Sequence, residues 1–385
     1  MHLIYKKFVK NTFRYLLYIC AFTSANNAYA LIIIQQASVS TNVEFDNNPN
    51  LQPRDAVSMW RYSLNPQYTF SAADDKNRFF SNAGLNILRS SNQDIIADRE
   101  DPNLNFGWDR ELERGRFSIV ASYNRTSSRF REFRNTGFVD NDNTSVSKSL
   151  SAVWNYAFTE RLDYSLSGNL TKNINTGDTI LVGNSTRKSI NSTLTYAFNE
   201  IFSPFLQASY TTFKPEGINA FESNSRNYIG GFRYLINDYF SASASAGITD
   251  VSTAGTGKLF NANLDYQNER SQARLSVGRN TSPSDIGQFL ESDSLSLTYN
   301  YLLSDKSSIG ADYFLSDNRA IGGGNSIQSF NVDNKSSRIG LYYIREFTPT
   351  LQMRLSINSQ QIKSINQDAT GEIVGLFFTY NTPEF

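Results

Sequence analysis

An apolar residue at every second position, with Ser, Thr, Asn or Asp between, recurs along almost the whole of this chain. The stretch Val374-Gly375-Leu376-Phe377-Phe378-Thr379-Tyr380 is the last example. A period of two belongs to an extended strand whose successive side chains point to opposite faces, so each segment carries one greasy and one wet face. With a wet face this rich in Asn and Ser, the arrangement that suits both faces is a closed barrel with lipid outside and a polar lumen inside.

A soluble sandwich also alternates apolar and polar residues. It would have to pack all of its apolar faces together, and the 21 Tyr and 28 Phe of this chain would overfill such a core. Mean hydropathy is −0.42, and no stretch approaches the roughly 18–20 apolar residues of a membrane-spanning helix. Interleaved lipid-facing and lumen-facing residues produce this combination of aromatic richness and average polarity. With 36 basic and 36 acidic residues the net charge is zero, which leaves no global basic field for nucleic acid.

The alternation can be followed strand by strand, from Ala37–Phe45 and Trp60–Phe70, through Phe117/Ile119/Ala121/Tyr123 and Leu150/Ala152/Trp154/Tyr156, to Leu351/Met353/Leu355/Ile357 and Val374/Leu376/Phe378/Tyr380. Pro66 removes a ladder donor from the second strand and predicts a bulge or local fraying there. The fold class expected is all-β, a transmembrane antiparallel up-and-down β-barrel of about 18 strands, 16 to 20 if one hairpin is missed or invented. Short turns such as Asp74-Asp75-Lys76-Asn77 and Ser304-Asp305-Lys306 follow the even strands. Longer connections, at residues 127–144, 173–188, 213–226 and 317–335, follow the odd ones. That asymmetry predicts periplasmic turns, extracellular loops, and both strand termini on the periplasmic side, with the last strand pairing back to the first. Tyr and Phe just before the short turns (Tyr156 and Phe158, Tyr196 and Phe198, Tyr234, Tyr301) form a loose repeat that reads as an aromatic girdle.

Residues 1–30 read as a cleaved Sec-type signal peptide. Lys6, Lys7, Lys10 and Arg14 supply the positive region, Tyr15 to Phe22 a short apolar core, and Ala28-Tyr29-Ala30 the cleavage site. Residues 31–385 are then a single outer-membrane barrel domain. His2 and Cys20, the single His and single Cys, both fall in the removed piece. The mature chain therefore lacks the groups for Ser-His or Cys-His catalysis and for ordinary zinc or haem sites, so no enzyme, metal or cofactor is expected. Asp140-Asn141-Asp142-Asn143 reads as a turn former rather than a calcium loop. Gly322-Gly323-Gly324 does not open a helix and is no phosphate loop.

Two sets of charge stand out once faces are assigned. Arg89, Arg125, Lys172 and Arg279 share the lipid-facing register but lie near upper strand ends. At the bilayer midplane each would cost about 2–4 kcal/mol, but near the interface almost nothing. They are candidate contacts for lipopolysaccharide phosphates, simple snorkelling being the alternative. The second set faces the lumen: Arg61, Arg233, Arg274, Arg338 and Arg354, against Glu44, Asp109, Glu111, Asp163, Asp265, Asp312 and Glu372. Opposed basic and acidic walls would set up a field that selects solutes. The same residues as neighbouring ion pairs would instead brace a plugged barrel.

The early strand ending in Val43-Glu44-Phe45-Asp46-Asn47-Asn48-Pro49, the even ladder of hairpins, and the terminal Phe385 resemble the outer-membrane β-barrel porin family associated with exopolysaccharide systems. The resemblance implies a porin-like passive channel, or the barrel component of polysaccharide export, in a Gram-negative outer membrane. Its expected partners are outer-membrane lipid and lipopolysaccharide, the barrel-assembly machinery, and polysaccharide or small solutes. A structural or surface-interaction barrel with a closed lumen and binding loops is the alternative.

Overall fold

The computed structural model describes residues 31–127, 143–176, 183–216, 222–283, 289–321, 334–364 and 367–384. The signal segment, the acidic run at 140–142, the glycines at 322–324 and Phe385 lie outside the described residues.

The strands in chain order are β1 Ile32–Asp46, β2 Met59–Ala73, β3 Asn77–Ser90, β4 Arg99–Leu112, β5 Gly115–Ser127 and β6 Thr144–Ala157. Then come β7 Leu162–Thr176, β8 Ser185–Tyr196, β9 Phe202–Pro215, β10 Ser223–Leu235, β11 Phe240–Val251 and β12 Gly255–Gln267. The last six are β13 Ser271–Pro283, β14 Phe289–Ser304, β15 Ser307–Ala320, β16 Asn334–Thr348, β17 Leu351–Ser364 and β18 Gln367–Asn381. Each pairs antiparallel with its chain neighbour, and β1 also pairs with β18, from Ser38–Asn381 to Asp46–Ile373. This is a closed 18-stranded antiparallel barrel, as the alternation predicts. Closure leaves no unpaired sheet edge.

Directly opposed residues share a face, so one assignment propagates around the wall. Leu206, Ile248 and Leu341 are 66%, 59% and 57% exposed, which puts the apolar face outside. At the short-turn end the outward rings touch: Phe79 stacks on Trp108, which meets Phe117 edge-on at 5.9 Å, while Trp154 meets Tyr164 and Phe240 meets Tyr266. That is the aromatic belt expected there.

Six of the short turns share one device. Asn199 Oδ1 accepts from the Ile201 and Phe202 amides at 3.1 and 2.7 Å. Asn237 and Asn268 do the same for the second and third amides after them. Thr159 and Thr348 use their hydroxyls, and Asp74 its carboxylate. A short side-chain acceptor closes the turn locally, which is why Asn, Asp and Thr occupy these positions. The two amides delivered to Asp74 hold its carboxyl below the ordinary value of 3.8.

Pro66 makes no bulge but frays the ladder locally, one of the two outcomes expected of it, and two further expectations are corrected. β2 runs unbroken, and the β2–β3 register is the same on both sides of Pro66, Leu64–Ile87 and Gln67–Gly84. Only the bridges between them are missing, because Pro has no N–H to give. β1 begins at Ile32 rather than Ala37, with Ile32–Ile34 paired to Ala73–Ser71. Finally, two connections after odd strands are short. β17 ends at Ser364 and β18 begins at Gln367, while β11 and β12 are joined through residues 252–254, with Gly255 at φ +86°.

Candidate functional site

The lumenal wall is built from the wet positions of each strand. On β6 to β8 these are Ser147, Ser149, Ser151, Ser165, Ser167, Asn169, Ser189, Asn191 and Thr193, whose pairings place them on one face. On β11 and β12 the same face holds Ser243, Ser245, Asn261 and Asn263, with Asn263 Nδ2 donating to Ser243 Oγ at 3.0 Å. These short hydroxyl and amide side chains reach little way into the lumen. Barrels of this strand number enclose a water-filled channel unless something plugs it.

Three inward rings lie against the wall instead of pointing across it. Tyr342 on β16 covers Gly310 of β15, Phe80 on β3 covers Gly107 of β4, and Phe205 on β9 covers Gly231 of β10. In each pair the ring occupies the space a Cβ would need. Glycine opposite an aromatic thus keeps a bulky lumenal side chain flat.

Most of the lumenal charges predicted from sequence are neighbours. Arg61 lies 3.5 Å from Glu44 and 3.4 Å from Asp46, and Arg338 lies 3.4 Å from Asp312. Arg274 is ion-paired to Asp265 on the adjacent strand. Asp109 and Glu111 lie 2.5 and 3.6 Å from Arg116, a partner that the sequence reading missed. Its signal was present: in the tight β4–β5 hairpin Arg116 stands directly opposite Glu111. Arg354 stacks over the Tyr342 ring at 4.6 Å. Arg233 opposes Ser203 and Ser243, and Asp163 opposes Ala157 and Thr195; neither has an ion pair among the described residues. Glu372 faces outward, not into the lumen, because it shares the parity of Val374 and Leu376. It is tied to Asn47 of the β1–β2 connection, which accepts from the Glu372 amide at 2.7 Å.

At the long-loop end two apolar clusters lean inward. Leu51 of the β1–β2 connection packs on Ile362 and Ala369 and approaches Gly371, all on the inner face of β17 and β18. Asn48 pins this connection by donating to Gln52 and Thr370 carbonyls at 2.9 and 2.8 Å. On the other side Phe213 of β9, Val251 of β11 and Phe289 of β14 form a buried group with Ala254 and Ile321 against it. The Phe213 and Phe289 rings meet edge-on at 6.4 Å although four strands separate β9 from β14. The strand ends from β9 to β14 therefore fold over part of the mouth.

The four predicted outer cations do take the lipid-facing register, and each has a carboxylate beside it. Arg89 lies 2.7 Å from Glu100, Arg125 3.4 Å from Asp101, and Lys172 3.8 Å from Glu216. Arg279 grips Asp293 with two hydrogen bonds of 2.6 Å and approaches Glu291 at 3.2 Å. Sequence reading passed over Lys148, Lys188, Lys214 and Arg226. Their even numbers match those of outward Leu150, Ile190, Tyr210 and Tyr228 on the same strands, so parity alone would have found them.

No family model and no curated protein matches the chain. Solved structures do. OccAB4 of Acinetobacter baumannii, an outer-membrane β-barrel porin, superposes with a TM-score of 0.52 at 10% identity, over 93% of this chain and 100% of its own. OpdO of Pseudomonas aeruginosa gives 0.50 at 12% identity over 91% and 97%, and the siderophore receptor PirA of the same organism 0.50 at 9% over 91% and 80%. At these identities the likeness is one of fold: this chain has the fold of an outer-membrane porin-like β-barrel.

Proposed function

We propose that the barrel resides in a Gram-negative outer membrane, exported by the signal at residues 1–30, and serves as a passive channel for small polar solutes. The observation that carries this reading is the lumenal wall of short Ser, Thr and Asn side chains, which offers hydroxyl-rich solutes exchangeable hydrogen bonds without filling the lumen. Its charges sit mostly in neighbouring pairs, which favours neutral cargo over strong ion selection. Saccharides fit that chemistry, and participation in exopolysaccharide export is the narrower form of the proposal. Planar-bilayer recording from folded protein tests the channel, and polymer secretion by a deletion strain tests the export role.

The apolar clusters at the mouth support a second reading, a closed surface barrel whose loops bind outside partners. Folded protein that inserts into bilayers yet carries no current would select it over the channel.

A further inference from the structure

The outer rim at the long-loop end is not uniform. From β13 to β18 its charges are matched: Arg279 with Asp293 and Glu291, Arg319 and Lys335 with Asp317, and Lys363 with Asp368. From β6 to β9 they are not. Lys148, Lys188 and Lys214 are exposed and outward, and none has an ion pair among the described residues. Lys172 stands directly opposite Lys148 and lies 3.8 Å from Glu216. The arc ends at Arg226, which stands opposite Asp250 of β11.

Like charges directly opposed on a sheet destabilise it unless an anion lies between them. The height of these lysines is also specific. Two residues further along each strand, Lys148, Lys172 and Lys188 give way to Leu150, Leu170 and Ile190, which are 49%, 43% and 49% exposed. These three cations therefore ride on the edge of the apolar band, at headgroup level, and Lys214 stands one outward position higher, above Thr212. Adjacent strands are spaced about 4.8 Å apart, so several ammonium groups can converge on one headgroup. A phosphomonoester, with nearly two negative charges, suits compact ammonium donors.

We propose that the outer wall of β6–β9 binds the phosphate groups of lipopolysaccharide, with Lys148, Lys188 and Lys214 as principal ligands and Lys172 contributing. This rests on the long loops facing outward from the cell, not on whether the lumen conducts. Of the four outer cations picked out by sequence only Lys172 belongs to this arc; Arg89, Arg125 and Arg279 lie on other strands, each beside a carboxylate.

Native mass spectrometry of the full-length folded barrel can test it, titrating with phosphorylated lipid A, dephosphorylated lipid A, and inorganic phosphate alone. The expected result is preferential retention of the phosphorylated lipid, weakened on the order of a hundredfold in K148S/K188S/K214S. The K148R/K188R/K214R variant should retain it, and K335S, at a rim lysine already paired with Asp317, should behave as wild type. If the triple Ser variant does not fold, single variants carry the test, each weakening binding about fivefold. Undiminished binding by folded Ser variants, or equal binding of dephosphorylated lipid, overturns the proposal. So does inorganic phosphate reproducing the same difference between wild type and variant.

Discussion

At the scale of single residues, the lumen owes its shape to what is absent as much as to what is present. Gly310 has no Cβ, so Tyr342 can lie on the wall with Arg354 stacked over its ring. In Gly310→Ala the ring must leave the wall, at a cost of about 1–3 kcal/mol. The same substitution in a Tyr342→Ala background should cost far less, since the clash has gone. Urea midpoints of the four proteins of this cycle give the coupling directly. A Gly310→Ala effect that persists without Tyr342 would place the cost in the backbone instead. The charges teach the complementary lesson. Alternation alone puts Asp109 and Glu111 on the lumenal face, but their pairing with Arg116 depends on hairpin register, which requires the turn between them to be known.

At the scale of elements, the strands were legible because period two is a strong signal repeated many times. Departures from it mark where legibility ended. Ile32, Ile33 and Ile34 carry no alternation, so the start of β1 was hidden, and only pairing with β2 reveals it. Leu51 sits in a connection with no period at all, and nothing local announces that it packs under β17 and β18. The turns are different: their residue types were recognisable, their shared mechanism was not. Replacing Asn237 by Ala removes the acceptor for the Tyr239 and Phe240 amides and should destabilise the barrel by about 0.5–1.5 kcal/mol. The same change at Asn199 should not simply add to it, because the Leu235 amide donates to the Ile201 carbonyl at 2.8 Å and joins the two turns. Asp74 adds a pH signature. Its carboxyl is depressed in the folded state by the Lys76 and Asn77 amides, so its contribution is present above the ordinary value of 3.8 and is lost as pH falls through the folded value. The protection factors of the Lys76 and Asn77 amides should fall in wild type as pH drops through the folded value of Asp74. Asp74→Asn, which keeps an acceptor that does not titrate, should abolish that fall.

At the scale of the molecule, the wall and the mouth pull in different directions. A polar wall of 18 strands favours conduction, while Phe213, Val251 and Phe289 on one side and Leu51 on the other narrow the entrance. If the mouth limits flow, F213S/F289S should raise single-channel conductance with the barrel still folded, because an apolar constriction resists wetting. Equal conductance in wild type and variant would move the limiting section down to the lumenal wall. The fold was readable at this scale from faces and turn lengths. The mouth was not, because it is made by residues from β9, β11 and β14 that meet only after the wall has curved.

The seam between β1 and β18 has a consequence in time. Ala37 accepts from the Thr382 amide at 2.8 Å and gives its own amide to the Thr382 hydroxyl, two partners 345 residues apart in the chain. Every other ladder joins neighbours in sequence and can form as the chain is delivered. This one must wait for the final strand. Until β18 arrives, the growing sheet carries two open edges that could capture another copy. Closing the barrel thus carries the largest loop-closure cost of any ladder in the sheet.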